Sequence, residues 1–362
     1  MDYYVLEETL QVLFEEVIPL SRAQNRHVRQ VCVGVLLAGS SQLTKIARWL
    51  KQATQQDSRV QWLRRLFEAG YYMTQEYVYH PFVKRVLERY QPAAIHLVMD
   101  RTPLAAGQTD LLSVSLSFRK RAIPLVWGFM AHGMSDYETQ RQLITGCEPL
   151  LPVYVPVVVH GDNEFGSVRM MQFLRHLQWD FVVGQANKNY YRCSPDGEWQ
   201  TLATLPVTKR QAVYRSQVEL TKDYAYGPLN LFAFYQPRFS NRRRKRDITY
   251  CATSLPITPT VRRVGRHRWG IECCFKDFKS SGWNVQLSDL THPQQREGLF
   301  TTLSLTYLWA TCLGRWLCKT GQRAWVDAKA QRHLSLFRIG WDWLVHRYNL
   351  DSPCPTLLTL YP

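Results

Sequence analysis

Apolar residues recur at helical spacing through residues 1–90, at strand spacing through the middle of the chain, and at helical spacing again toward its end. Residues 41–52 (SQLTKIARWLKQ) and 58–69 (SRVQWLRRLFEA) predict two short helices, with Ser41 and Ser58 as N-caps and Lys45, Arg48, Arg64 and Arg65 exposed. A pair of this kind is expected either to read DNA as a helix-turn-helix or simply to form part of a small bundle. At residue 93 the pattern changes. Residues 94–99 (AIHLVM) predict a strand that ends in Asp100, and residues 111–118 and 123–130 predict two more. Residues 136–150 read as a helix capped by Ser135 or Asp136. The β-branched run 153–159 reads as a buried strand leading to Asp162. A helix over 168–177 and a strand over 181–184 follow.

From residue 185 to 246 the chain is rich in Tyr, Thr and Val, broken by turn residues such as Pro195-Asp196-Gly197, and predicts several hairpins. Residues 248–254 predict a returning strand, 264–283 a helix, and 299–317 a largely buried helix. Beyond residue 320 a helical pattern through Trp341, Leu344 and Tyr348 leads to a Pro-rich end that carries no recognisable chemistry. There is no internal repeat.

Composition narrows the partners. The chain has 362 residues, 46% of them apolar, which suffices for a sizeable core and about two domains. Its formal charge is +16, so phosphates concentrate near its surface and a polyanion is the expected partner. Charge of this sign does not by itself separate DNA from ribosomes or anionic membranes. The nine cysteines are scattered without a C-x2-C pair, which argues against a disulfide framework or a structural zinc site. Acids at Asp2, Glu7 and Glu8 are unlike a signal peptide. The apolar runs 31–38 and 299–314 are too short, or too rich in Thr and Ser, to cross a membrane. The expected location is cytoplasmic.

Candidate chemistry centres on residues 264–283, VGRHRWGIECCFKDFKSSGW. On a helix, Arg268, Glu272 and Lys279 fall within roughly 40° of one another. Ile271, Cys274 and Phe278 form the adjoining apolar stripe, with Phe275 at its border. A surface helix with an ordinary i,i+4 ion pair would also show Arg268 and Glu272 at this spacing. Asp100 and Asp162 each follow a predicted strand; singly, such an Asp is most often a turn residue or a helix cap. Three carboxylates suit hard cations, and no His or Cys cluster in the sequence offers a zinc alternative. The basic block Arg242, Arg243, Arg244, Lys245 and Arg246 serves equally well as a solvated linker or as a phosphate contact.

The spacing Arg268-x3-Glu272-x6-Lys279 resembles the Y-x2-R-x3-E-x6-K signature of bacterial insertion-sequence transposases, the IS-four family of DDE enzymes, with Gly265 in place of the tyrosine. Asp100-Arg101-Thr102 is similar to that family's first catalytic motif. Asp162 with Phe165-Gly166-Ser167 is similar to its second, although the family more often has Arg-Gly where this chain has Asn163-Glu164. The resemblance implies an α/β fold: an RNase H-like catalytic core over residues 91–185 and 247–320, a β-rich insertion over 186–246, an N-terminal helical DNA-binding region over 1–90, and a C-terminal helical tail over 321–362. It implies a transposase that cuts double-stranded DNA at element ends and joins them to target DNA, working as a homodimer in its synaptic complex. Asp100, Asp162 and Glu272 would hold two Mg²⁺ ions, with Mn²⁺ able to substitute and Asp100 bridging them. Arg268 and Lys279 would hold a phosphate near the cut; the tyrosine's own phosphate contact is either lost or supplied elsewhere, with Arg262, Arg266 and His267 as nearby candidates. A nuclease of the same fold without strand transfer, or a DNA-binding repressor that has lost catalysis, are the alternatives.

Overall fold

A computed structural model describes residues 4–18, 20–69, 72–104, 108–239, 244–258, 261, 265–329 and 331–350. The fold is mixed α/β, built on one ten-stranded sheet in the order β3-β2-β1-β4-β5-β10-β9-β8-β6-β7. Strands β1 (Ile95–Leu104), β2 (Thr109–Phe118) and β3 (Arg121–Ala131) form an antiparallel meander. Helix α6 (Tyr137–Cys147) then leads to β4 (Val157–Gly161), and α7 (Val168–His176) leads to β5 (Asp180–Gln185). Both β4 and β5 run parallel to β1, and β4 is buried at every position, as its Val-rich sequence requires.

The hairpin region extends this same sheet. β10 (Arg244–Thr253) pairs antiparallel with β5 on one side and with the long β9 (Tyr226–Phe239) on the other. β8 (Val213–Leu220), β6 (Tyr190–Arg192) and β7 (Gln200–Thr201) continue outward from β9.

In the N-terminal region lie α1 (Tyr4–Val17), α2 (Arg22–Ala38), α3 (Leu43–Ala47), α4 (Gln56–Ala69) and α5 (His80–Arg89). Toward the C-terminus follow α8 (Trp269–Phe278), α9 (Pro293–Lys319) and α10 (Leu336–Asn349). Helix α9 is the hub. It packs against α2, α4, α10 and β3, and is buried continuously from Gly298 to Gly314, which explains why this stretch carries no charged residue. Gly340 makes its crossing with α10 possible, since a Cβ there would lie 1.8 Å from the Ala310 carbonyl oxygen. Among the described residues no helix is long and apolar enough to cross a membrane.

Four local expectations change. The predicted helix over 41–52 shrinks to the five residues of α3, capped at Gln42 without a side-chain bond. Ser41 is drawn elsewhere: its amide donates to the Trp283 carbonyl at 2.7 Å and its hydroxyl to the Asn284 carbonyl at 2.9 Å. Ser58 lies inside α4, which begins at Gln56. The strand expected over 153–159 begins only at Val157, leaving Val153 and Tyr154 exposed. The helix expected over 264–283 is a 3₁₀ turn, Gly265–Arg268, followed by α8, which ends at Phe278. Lys45, Arg48, Arg64 and Arg65 are exposed, as expected.

Candidate active site

Asp100 and Asp162 come together because β1 and β4 are parallel neighbours. Val98 pairs with His160, so each carboxylate sits two residues beyond the last paired position. The residues after Asp162 hold it there. Its Oδ1 accepts the Glu164 amide at 2.8 Å, a local turn that Asp forms readily. Phe165 is buried as an anchor. A Cβ on Gly166 would lie 2.1 Å from the Gly184 carbonyl oxygen, so only glycine allows the loop to lie against β5. The Ser167 hydroxyl then caps α7 by accepting the Met170 amide at 3.2 Å. Asp162, Phe165, Gly166 and Ser167 thus each have a separate physical task.

The third carboxylate arrives on α8. Ile271, Cys274 and Phe278 bury one side of that helix, as the apolar stripe predicts. Gly270 lets its first turn approach β3, since a Cβ there would be 2.6 Å from the Arg121 carbonyl oxygen. The opposite side carries Glu272, and the preceding Arg268 bridges two acids. Its Nη1 donates to Asp100 Oδ2 at 3.2 Å and its Nη2 to Glu272 Oε1 at 2.8 Å. Burial pushes the Asp100 carboxyl up to about 6. The guanidinium of Arg268 and the Arg101 amide oppose that rise, while the like charges of Asp162 and Glu272 add to it.

Lys279 reaches the site by a route the helical arithmetic did not describe. It is the C-cap residue of α8, with non-helical backbone angles. Its ammonium donates to Thr102 Oγ1 at 2.6 Å, two residues along β1 from Asp100 on the same face. Burial lowers its pKa, against the raising influence of Asp110.

Under the carboxylates lies a group that sequence reasoning missed. His96 is stacked on His267 with ring centroids 3.8 Å apart, and its Nδ1 lies 3.0 Å from Nε2 of the buried His160. His267 Nδ1 is in turn 3.0 Å from the Ser117 hydroxyl. Burial pushes His96 down to about 4 and lowers the other two, so the stack is neutral at pH 7. It ties the 3₁₀ turn that carries Arg268 to β1, β2 and β4. The period-2 phase could have shown it, because His96 shares a face with Asp100, and His160 with Asp162.

A second missed group surrounds Arg101. Its side chain points to the sheet face opposite Asp100, where it pairs with Asp110 and Glu164.

The donor set fits hard divalent cations in type and charge: three carboxylates, one of them forced toward its neutral form by burial and by the other two. In this arrangement Arg268 supplies the balancing charge. Among the described residues, no three of His, Cys, Asp and Glu stand close enough together to hold a metal ion.

Arg242, Arg243 and Arg262 lie outside the described residues. Arg244, Lys245 and Arg246 form the start of β10, opposite Phe239, Arg238 and Pro237 of β9. Gly265 and Arg266 fall in the 3₁₀ turn before Arg268.

Residues 133–309, a little under half of the chain, match the family model described as a transposase DDE domain. The match contains Asp162, Arg268, Glu272 and Lys279, and it begins after Asp100. No match was found among curated proteins. Among solved structures the chain is similar to a piggyBac transposase, in a structure titled as its synaptic complex with hairpin DNA. The identity is 13% and the TM-score 0.47, covering 97% of this chain and 79% of that one.

Proposed function

We propose that this protein is a DDE transposase that cuts double-stranded DNA at insertion-sequence ends and joins them to target DNA by phosphoryl transfer. The observation that carries the reading is that Asp100 lies within electrostatic reach of Asp162 and Glu272, with Arg268 joining it to Glu272, inside a basic chain whose residues 133–309 match a transposase DDE domain. The antiparallel β1–β3, the parallel β4 and β5 and the helices between them would form the RNase H-like core, with β6–β9 as its insertion. The N-terminal helices would supply further DNA contacts, and two copies would act together at paired ends.

Asp100, Asp162 and Glu272 would hold two Mg²⁺ ions, or Mn²⁺ in their place, whose chemistry is to activate the attacking water or 3′-hydroxyl and to stabilise the leaving oxygen. The protein's own part is positioning. Arg268 can offer its planar fork to a phosphate, and Lys279 a point charge, from opposite ends of α8. Both are held near Asp100, by Asp100 and Glu272 in one case and by Thr102 in the other.

Asp100→Asn, Asp162→Asn and Glu272→Gln are each expected to abolish Mg²⁺-dependent cleavage of a duplex carrying the gene's flanking inverted repeats, while gel shifts on that duplex stay near wild type. Cleavage by all three variants would end the enzyme reading. Cleavage by wild type without joined products would leave a nuclease.

One observation favours a second reading, a repressor that binds DNA and does not cut it: Arg268 occupies two of the three acids internally. Under that reading the wild-type protein shifts the duplex but releases no cut product at any Mg²⁺ or Mn²⁺ concentration.

A further inference from the structure

Arg101 directly follows Asp100, yet it points through the sheet to the other face. There its Nε lies 3.2 Å from both Glu164 oxygens and its Nη2 3.0 Å from Oε2. Its Nη1 bonds Asp110, whose side chain is fully buried. Both carboxylates are occupied on their other sides. Glu164 Oε1 also accepts the Ser135 amide at 2.9 Å and the Ser135 hydroxyl at 2.7 Å. Asp110 also accepts from Gly133 at 3.2 Å and meets His132 Nδ1 at 3.0 Å.

Two consequences follow from this saturation. Every nitrogen of the Arg101 fork already bonds a carboxylate, so a DNA phosphate would have to compete with Glu164 and Asp110 for it. Both oxygens of Glu164 are committed to donors, so Glu164 is neither a free base nor an available ligand. What the pair does is mechanical. Arg101 is one residue from Asp100, and Glu164 is two residues from Asp162, whose carboxylate accepts the Glu164 amide. The bidentate contact therefore ties the two aspartate-bearing segments together from behind the sheet.

We infer that Arg101 and Glu164 are positioning residues that set the placement of Asp162 against Asp100, and that Asn163-Glu164, the departure from the resembled motif, is the second half of this clamp. The inference rests on the proposed roles of Asp100 and Asp162. A bidentate guanidinium–carboxylate pair suits the task because it fixes direction as well as distance. Lysine keeps the charge without the fork, and so cannot reach Glu164 and Asp110 together.

The test uses full-length wild type, Arg101→Lys, Arg101→Gln, Glu164→Gln and the double variant Arg101→Gln/Glu164→Gln. Amide hydrogen exchange of the peptide covering residues 163–167 is measured without DNA or metal. The Mg²⁺ concentration for half-maximal single-turnover cleavage, the affinity for end DNA and the melting temperature are measured beside it. Each single variant is expected to raise both loop exchange and the Mg²⁺ requirement about tenfold, with DNA affinity within about twofold, and the double variant to be no worse than the worse single, as for two halves of one interaction. Unchanged exchange, or an unchanged Mg²⁺ requirement in a wild-type enzyme that cleaves, overturns the clamp. So does a parallel loss of DNA affinity and melting temperature with the Mg²⁺ requirement unmoved, which would mark a purely structural pair. A wild-type protein that cuts nothing overturns the transposase reading instead, and the exchange readout still decides whether the loops are tied.

Discussion

Lys279 shows how much one side chain's placement depends on its surroundings. On an ideal helix it would share a face with Glu272, but α8 ends one residue earlier and Lys279 turns to Thr102. Its ammonium is half-buried, beside the strand that bears Asp100, with one hydroxyl as its partner. A group so held offers a phosphate positive charge at little ordering cost, because the side chain is already immobilised. Lys279→Gln is therefore expected to slow cleavage at a true element end by about ten- to a hundredfold, the equivalent of roughly 1.5–3 kcal/mol for a hydrogen bond to a charged group. Nicking of unrelated DNA and the melting temperature should move much less. Single-turnover rates on the two substrates check this, and equal rates for wild type and variant would remove Lys279 from the reaction.

At the scale of elements, helix α9 packs against β3, and its seating involves a partly buried acid. Glu297 accepts from Trp127 Nε1 of β3 at 3.0 Å, from the Gln75 amide at 3.2 Å and from the Thr301 hydroxyl at 3.3 Å. Burial nevertheless pushes its carboxyl up to about 7 from an ordinary 4.5, outweighing those donors. A raised carboxyl binds its proton more tightly in the folded state than in the unfolded state. Stability is then lost as pH rises from about 4.5 through 7, by roughly 3 kcal/mol for this one group. Glu297→Gln keeps an acceptor oxygen and removes the charge. The variant is expected to melt near wild type at pH 4.5 and above it at pH 8. Thermal unfolding at both values decides it, and a variant less stable than wild type at pH 8 would mean that the ionised carboxylate is favoured where it sits.

For the whole molecule the governing quantity is charge. A net +16 attracts polyanions, and under the proposed reading DNA binding should depend steeply on salt. If about six phosphates are neutralised, affinity should fall on the order of a thousandfold between 50 and 200 mM salt. Replacing Arg242, Arg243 and Arg244 with Gln should reduce the log–log slope by up to about three units, while an unchanged slope would mean that this block makes no phosphate contact. Binding titrations across the salt range measure both.

Periodicity alone determined much of this protein. The strands that present Asp100 and Asp162, the motif from Asp162 to Ser167 and the Arg268–Glu272 pair were all legible, because each is written in residues adjacent along the chain or one helical turn apart. The three carboxylates could be named as a set only because those motifs resemble the signature of the IS-four transposases. Tertiary structure alone decided where several of those groups point and what restrains them. Ser41 abandons its expected cap for carbonyls at Trp283 and Asn284. Lys279 joins the site through a strand that lies far from it in the chain. Arg101 and Glu164 meet on the sheet face opposite Asp100. The reason is common to all three. Hydrophobic period and turn chemistry act over a few neighbouring residues, whereas the partner of a buried polar group is whatever the sheet order brings within hydrogen-bond reach.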